Sequence, residues 1–237
     1  MRALVLCALV LCALAACTYP DKIFEGPFTC LGAPPPTTAK PLVTVGGHVV
    51  EPSNLTPISG AMVALQNAQM SSLFMTTTDA SGSFSFTLNT NGTPAVGFDV
   101  FASASGRLST YYYEPHPITD DVSTDLALLS SQEAAQLAAG GGVQIDATHG
   151  AALVTIRDCN GTPLAGATVT ASAGVVRYFT GVQPSMTATA TDVGGVALIA
   201  QLPPGQVTLS ATVQGMKLPD HQFTVIANTF IQTTLPP

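Results

Sequence analysis

The chain has 237 residues, with seven Lys or Arg against fourteen Asp or Glu and a net charge of −7. A chain this acidic has no electrostatic footprint for nucleic acid and no polybasic patch for anionic lipid. Charged residues are only 9% and aromatics 6%, Thr, Ser, Ala, Val and Gly dominate, and the length suits one large or two small strand-rich domains.

The first segment is Met1-Arg2, an apolar run from Ala3 to Ala13, then Leu14-Ala15-Ala16-Cys17. The run is too short to span a bilayer as a helix, and its flanks are those of a cleaved signal peptide. The ending resembles the signal of a bacterial lipoprotein. That resemblance implies removal of residues 1–16, acyl chains such as palmitate on Cys17, and attachment to the membrane through that lipid. Several acyl chains anchor stably where one does not. Thr18, in the place where Asp would signal retention at the inner membrane, points to the outer membrane of the cell envelope. Cleavage would also remove Cys7 and Cys12, leaving Cys30 and Cys159 as the one available pair. In oxidising surroundings they form either a disulfide or two free thiols, and sequence alone leaves both open.

Residues 17–42 read as a lipidated, proline-rich tether, with Gly26-Pro27, Pro34-Pro35-Pro36 and Pro41 keeping the chain extended. From Val43 onward, residues alternate as strands do. Phe84, Phe86 and Leu88 share one face and the intervening hydroxyls the other; Phe98, Val100 and Ala102 repeat the pattern. In the second half, Leu209, Ala211 and Val213 alternate with polar residues, as do Thr229, Ile231, Thr233 and Leu235 with theirs. Turn signals separate these runs at Asp79-Ala80-Ser81-Gly82, Asn91-Gly92, Asp158-Cys159-Asn160-Gly161 and Pro203-Pro204-Gly205. Between the halves, Ser130 and Glu133 have the spacing of a capping box. Ala134 to Ala139 favour helix and Gly140-Gly141-Gly142 ends it, so a short helix and linker are expected over residues 130–149.

The two halves match each other. Thr56-Pro57-Ile58-Ser59-Gly60-Ala61-Met62-Val63 aligns with Thr162-Pro163-Leu164-Ala165-Gly166-Ala167-Thr168-Val169, and Thr78-Asp79-x-x-Gly82 with Thr191-Asp192-x-x-Gly195. Ala102-x-Ala104-x-Gly106 aligns with Ala211-x-Val213-x-Gly215. Three blocks in one order indicate a tandem duplication. The residues involved are those of turns feeding strands, so their role is structural. The pattern of Pro-(Ile/Leu)-x-Gly-Ala-x-Val, then Thr-Asp-x-x-Gly, resembles carboxypeptidase regulatory-like domains. The resemblance implies two tandem seven-stranded, transthyretin-like (prealbumin- or Ig-like) β-sandwiches over residues 43–129 and 150–237. The first copy fits better, through Gly82-Ser83-Phe84-Ser85-Phe86; the second has Val196-Ala197-Leu198 where an aromatic is expected.

Chemistry-bearing motifs are sparse. His48-Val49-Val50-Glu51 has the lettering of a zinc-binding His-x-x-Glu, but on a strand positions i and i+3 face opposite ways. Tyr111-Tyr112-Tyr113-Glu114-Pro115-His116 is the densest cluster. It reads as a half-buried strand or, since tyrosines suit interfaces, as a binding surface of Tyr111, Tyr112, Tyr113 and His116. Tyr112, His116, His149 and His221 could imitate the iron ligands of a ring-cleaving dioxygenase, although the spacing does not match. Asp120, Asp121 and Asp125 make an acidic loop without a full calcium signature. Nucleophile and phosphate-loop motifs are missing. The expectation is therefore a lipid-anchored envelope protein with a structural role or one in binding protein or glycan, without cofactor, metal site or catalytic residues. The alternatives are a metal-dependent oxygenase or hydrolase on the same sandwich, and an accessory subunit of an envelope assembly.

Overall fold

The computed structural model describes residues 26–237; Cys17 and the signal segment lie outside them. The chain is all-β. The first half contains β1 (Leu42–Val50), β2 (Met62–Gln66), β3 (Ser72–Thr77), β4 (Ser83–Asn89), β5 (Asp99–Ser103), β6 (Ser109–Tyr113) and β7 (Val122–Ala127). After α1 (Ser131–Gly141) come β8 (Gly150–Ile156), β9 (Thr168–Ala171), β10 (Val175–Thr180), β11 (Gln183–Ser185) and β12 (Val196–Leu202). The chain ends with β13 (Gly205–Val213), β14 (Met216–Lys217), β15 (His221–Val225) and β16 (Thr229–Leu235). Two short ribbons, β11 and β14, are additional to the seven strands expected of the second half.

The halves share a pairing scheme. In the first, β1 lies between antiparallel β4 and parallel β7; in the second, β8 lies between antiparallel β12 and parallel β16. The repeated motifs explain why. Thr78 Oγ1 donates to the Ile58 carbonyl (2.6 Å) and accepts from Ala61 N (2.9 Å). Thr191 Oγ1 donates to the Leu164 carbonyl (2.7 Å) and accepts from Ala167 N (2.9 Å). Each threonine thus satisfies two buried backbone groups that no ladder reaches. A Cβ on Gly82 would stand 2.7 Å from the Val49 carbonyl oxygen, and one on Gly195 would stand 2.7 Å from that of Ile156, so only glycine permits this approach.

The second half departs from the scheme at β10. Its counterpart by order, β3, pairs with β2, whereas β10 leaves β9 and pairs with β12. The larger result is fusion. β6, the edge of the first half's outer sheet, pairs in parallel with β16, with Tyr111 beside Ile231 and Tyr113 beside Thr233. A nine-stranded sheet runs β11-β10-β12-β8-β16-β6-β5-β2-β3 through both halves.

That sheet serves two cores on opposite faces. On one, Val63, Leu65, Val100 and Ala102 pack with Phe84, Phe86, Leu88 and Leu126 from β4 and β7. On the other, Ala152, Val154, Ile199 and Ile231 pack under Val207, Leu209, Ala211 and Phe223. Behind the second core, α1 and its flanks bring Leu129, Leu137, Val143 and Ile145 over Leu153, Leu198 and Phe230. The helix forms as expected: Ser130 and Glu133 make a complete capping box, and Gly142 closes the end in the left-handed conformation. It does more than mark a junction, because it covers apolar sheet that would otherwise face water.

Within the described residues, the proline-rich segment is fastened to the body at both ends. Phe28 is buried in the second core, and Cys30 is bonded to Cys159 with Cα atoms 5.6 Å apart. Further on, Ala39 N donates to the Gly92 carbonyl and Lys40 N to that of Thr119, both in the first half. Gly32 to Thr38 is the segment's longest continuously exposed stretch. Pinned at both ends, the prolines form a strap between the halves; an apolar Phe and a crosslink outweigh the freedom of a short extended run.

Candidate functional site

The Tyr-rich motif lies on β6, an interior strand of the nine-stranded sheet, with the second core against one face and the first core against the other. Tyr111 and Tyr113 point toward the second core. Phe101, Tyr111, Tyr113, Phe223 and His221 form a ladder with ring centroids 4.9 to 6.1 Å apart. Tyr113 Oη donates to the Thr224 carbonyl at 2.7 Å, tying β6 to β15. Thr233 Oγ1 donates to the Tyr113 carbonyl at 2.8 Å and lies 3.0 Å from His221 Nε2. Tyr112 faces the first core and its hydroxyl lies 3.3 Å from Glu114. Burial raises all three phenols above their ordinary range. The binding surface expected of Tyr111, Tyr112, Tyr113 and His116 does not form: Tyr111 and Tyr113 are buried, Tyr112 is half-buried, and of the four only His116 is exposed.

Two titratable groups sit against the joint of the two halves. Asp99, on β5 beside Tyr113, is 6% exposed, and burial raises its carboxyl to about 7. Its neighbour across β2 is Gln66, whose Oε1 is buried without a hydrogen-bond partner. His221 is lowered to about 4, by burial first and by the nearby His116 second. Burial also lowers His116 and raises Glu114.

The other candidates disperse. His48 lies 3.2 Å from Asp125, whereas Glu51 pairs with Arg107, so the His-x-x-Glu lettering does not make a metal site. His149 pairs with Asp146 at 3.0 Å. Asp121 accepts from Thr44 N at 2.8 Å, and Asp120 and Asp121 both pair with Lys40. Among the described residues, no group of three or more His, Cys, Asp or Glu is placed to hold a metal ion. Among the same residues, no helix is long and apolar enough to cross a membrane.

A concave apolar place does exist, and the linear sequence gave no signal for it. Between α1, the Gly181–Gln183 turn and the back of the sheet lies a groove of about 440 Å³. Leu137, Leu153, Phe179, Val196 and Phe230 line it, with Glu133 and Asp192 among its polar residues and no base. Apolar walls with few polar groups suit a small uncharged or cationic ligand. The residues come from α1, β8, β10, β12 and β16, so only the fold assembles them.

No family model and no curated protein matches the chain. Solved structures similar to it include the Bacillus anthracis TIE protein, at 15% identity and a TM-score of 0.29, covering 82% of this chain and 34% of that one. A minor pilin of Streptococcus agalactiae is similar at 14% identity and a TM-score of 0.27, covering 82% and 94%. The dioxygenase domain of a carbohydrate-binding fusion from Streptomyces sp. SirexAA-E is similar at 22% identity and a TM-score of 0.30, covering 46% and 96%. The chain spans about a third of the TIE protein's length. At these scores the likenesses decide nothing about activity.

Proposed function

We propose that the protein is a lipid-anchored cell-envelope protein whose role is structural or in binding protein or glycan, with no catalysis of its own. The observation that carries this reading is how its reactive side chains are used. Tyr113 and Thr233 tie β6, β15 and β16 together; Thr78 and Thr191 hold turns; Arg107 bonds Glu51 and the Leu128 carbonyl. The Cys30–Cys159 disulfide suits an exported protein. Lipidation of Cys17 rests on the Leu14-Ala15-Ala16-Cys17 sequence, and any small ligand has its place in the groove beside α1. The test is fractionation of cells expressing the wild type and Cys17→Ser. The wild type is expected in membranes and the variant in the soluble fraction; a variant that stays with membranes overturns the anchor. Stoichiometric iron or zinc in purified protein, lost on changing His116, would overturn the non-catalytic reading.

A further inference from the structure

The two ends of the nine-stranded sheet are built differently. At one end, β11 is a three-residue strand containing Pro184, which has no N–H to offer a partner. α1 packs against it: a Cβ on Gly140 would lie 3.3 Å from the Pro184 ring. At the other end stands β3, paired with β2 on one side and with no strand on the other. Of the usual protections of an edge, β3 carries one, an irregularity of register against Leu65 and Gln66 of β2. β3 is six residues long, without Pro or charge, and Leu73, Phe74 and Met75 are 44%, 41% and 61% exposed. From Pro52 to Thr78 the sequence contains no charged residue and no His. The second half shows the contrast: β10, in the corresponding position, has crossed to pair with β12 and presents no such edge.

We infer that β3 is a self-association edge, pairing antiparallel with β3 of a second copy across a two-fold axis. What an open edge lacks is a row of backbone donors and acceptors, so its occupant is another strand. The symmetry of an antiparallel edge selects the second copy, and charge does not oppose it there. At a net −7, two copies repel except where they meet through an uncharged surface, and β3 is such a surface on both sides. An antiparallel edge is complementary to itself under a two-fold operation. Because the sheet's other end is sealed by Pro184 and α1, association through this sheet closes at two copies and does not propagate. Apolar side chains at the joint add cross-strand contacts on both faces of an eighteen-stranded sheet.

The test is sedimentation of the full chain carrying Cys17→Ser, which removes any acyl chain, compared with the same chain also carrying Met75→Lys or Met75→Glu. Met75 is mostly exposed, so each variant is expected to keep the far-UV spectrum of its parent and a cooperative melting transition. The parent is expected to be a dimer and each variant to dissociate at least about tenfold more readily, because like charges face each other across the axis. An equimolar mixture of the Lys and Glu variants is expected to restore the dimer. A parent that stays monomeric up to about 100 μM, a dimer that either variant leaves intact, or a mixture that does not recover would each overturn the inference; the first, with a strand peptide of another protein binding β3 instead, would assign the edge to a different partner.

Discussion

Asp99 and His221 sit against the same joint and titrate in opposite senses. Folding raises Asp99 to about 7, so its contribution to stability is whole at low pH and is lost as pH rises through 7. Folding lowers His221 to about 4, so its contribution is whole above about 6.5 and is lost as pH falls through 4. Between those limits the two slopes oppose each other and the wild-type profile is flattened. Asp99→Asn keeps the size of the side chain and removes one slope. It is expected to stabilise the protein at about pH 8 by up to roughly 4 kcal/mol, with little gain at about pH 4. Urea unfolding at the two pH values measures this; an equal difference at both would sink it. The same residues show where sequence reading stops. A run of three tyrosines is legible as a strand, but whether it faces water depends on what lies beside β6. That partner, β16, is more than a hundred residues away.

The strand elements announced themselves where one face is buried and one is wet, as at Phe84, Phe86 and Leu88, whose period of two needs no tertiary knowledge. The capping box at Ser130 and Glu133 was equally local. The repeated Thr-Asp-x-x-Gly turns were legible as turns, while the work of the threonine became visible only with its partners, Ile58 and Ala61 in one half and Leu164 and Ala167 in the other. Thr191→Val preserves shape and leaves the Leu164 carbonyl and Ala167 N–H buried without that partner. It is expected to cost about 1–3 kcal/mol in chemical denaturation, with the second core still formed. A loss below about 0.5 kcal/mol would show that water replaces the hydroxyl. The crossing of β10 from β9 to β12 left no trace in the sequence, because periodicity tells which residues of a strand share a face and not which strand lies beside it.

At the level of the whole molecule, the duplication reads as two modules, yet the halves are joined by a continuous sheet, an aromatic ladder and the strap. Separating them would expose Tyr111 and Tyr113 and strip β6 and β16 of a partner each. The Cys30–Cys159 bond spans a sequence separation of 129 residues, more than half of the described chain. A loop that long restricts the unfolded chain strongly, so Cys30→Ser with Cys159→Ser is expected to cost about 2–5 kcal/mol. Reductant should shift the wild-type denaturation midpoint likewise and leave the double variant unchanged. If reductant leaves the wild type unmoved, the bond contributes nothing.

The strap also decides what a protease can achieve. Gly32 to Thr38 is the exposed stretch where a cut is most accessible, and in a free leash such a cut would cast the body loose. Here the piece bearing the N-terminus keeps Phe28 in the second core and Cys30 joined to Cys159. A nicked molecule therefore remains in one piece, and whatever holds its first residues still holds the rest until a reductant arrives.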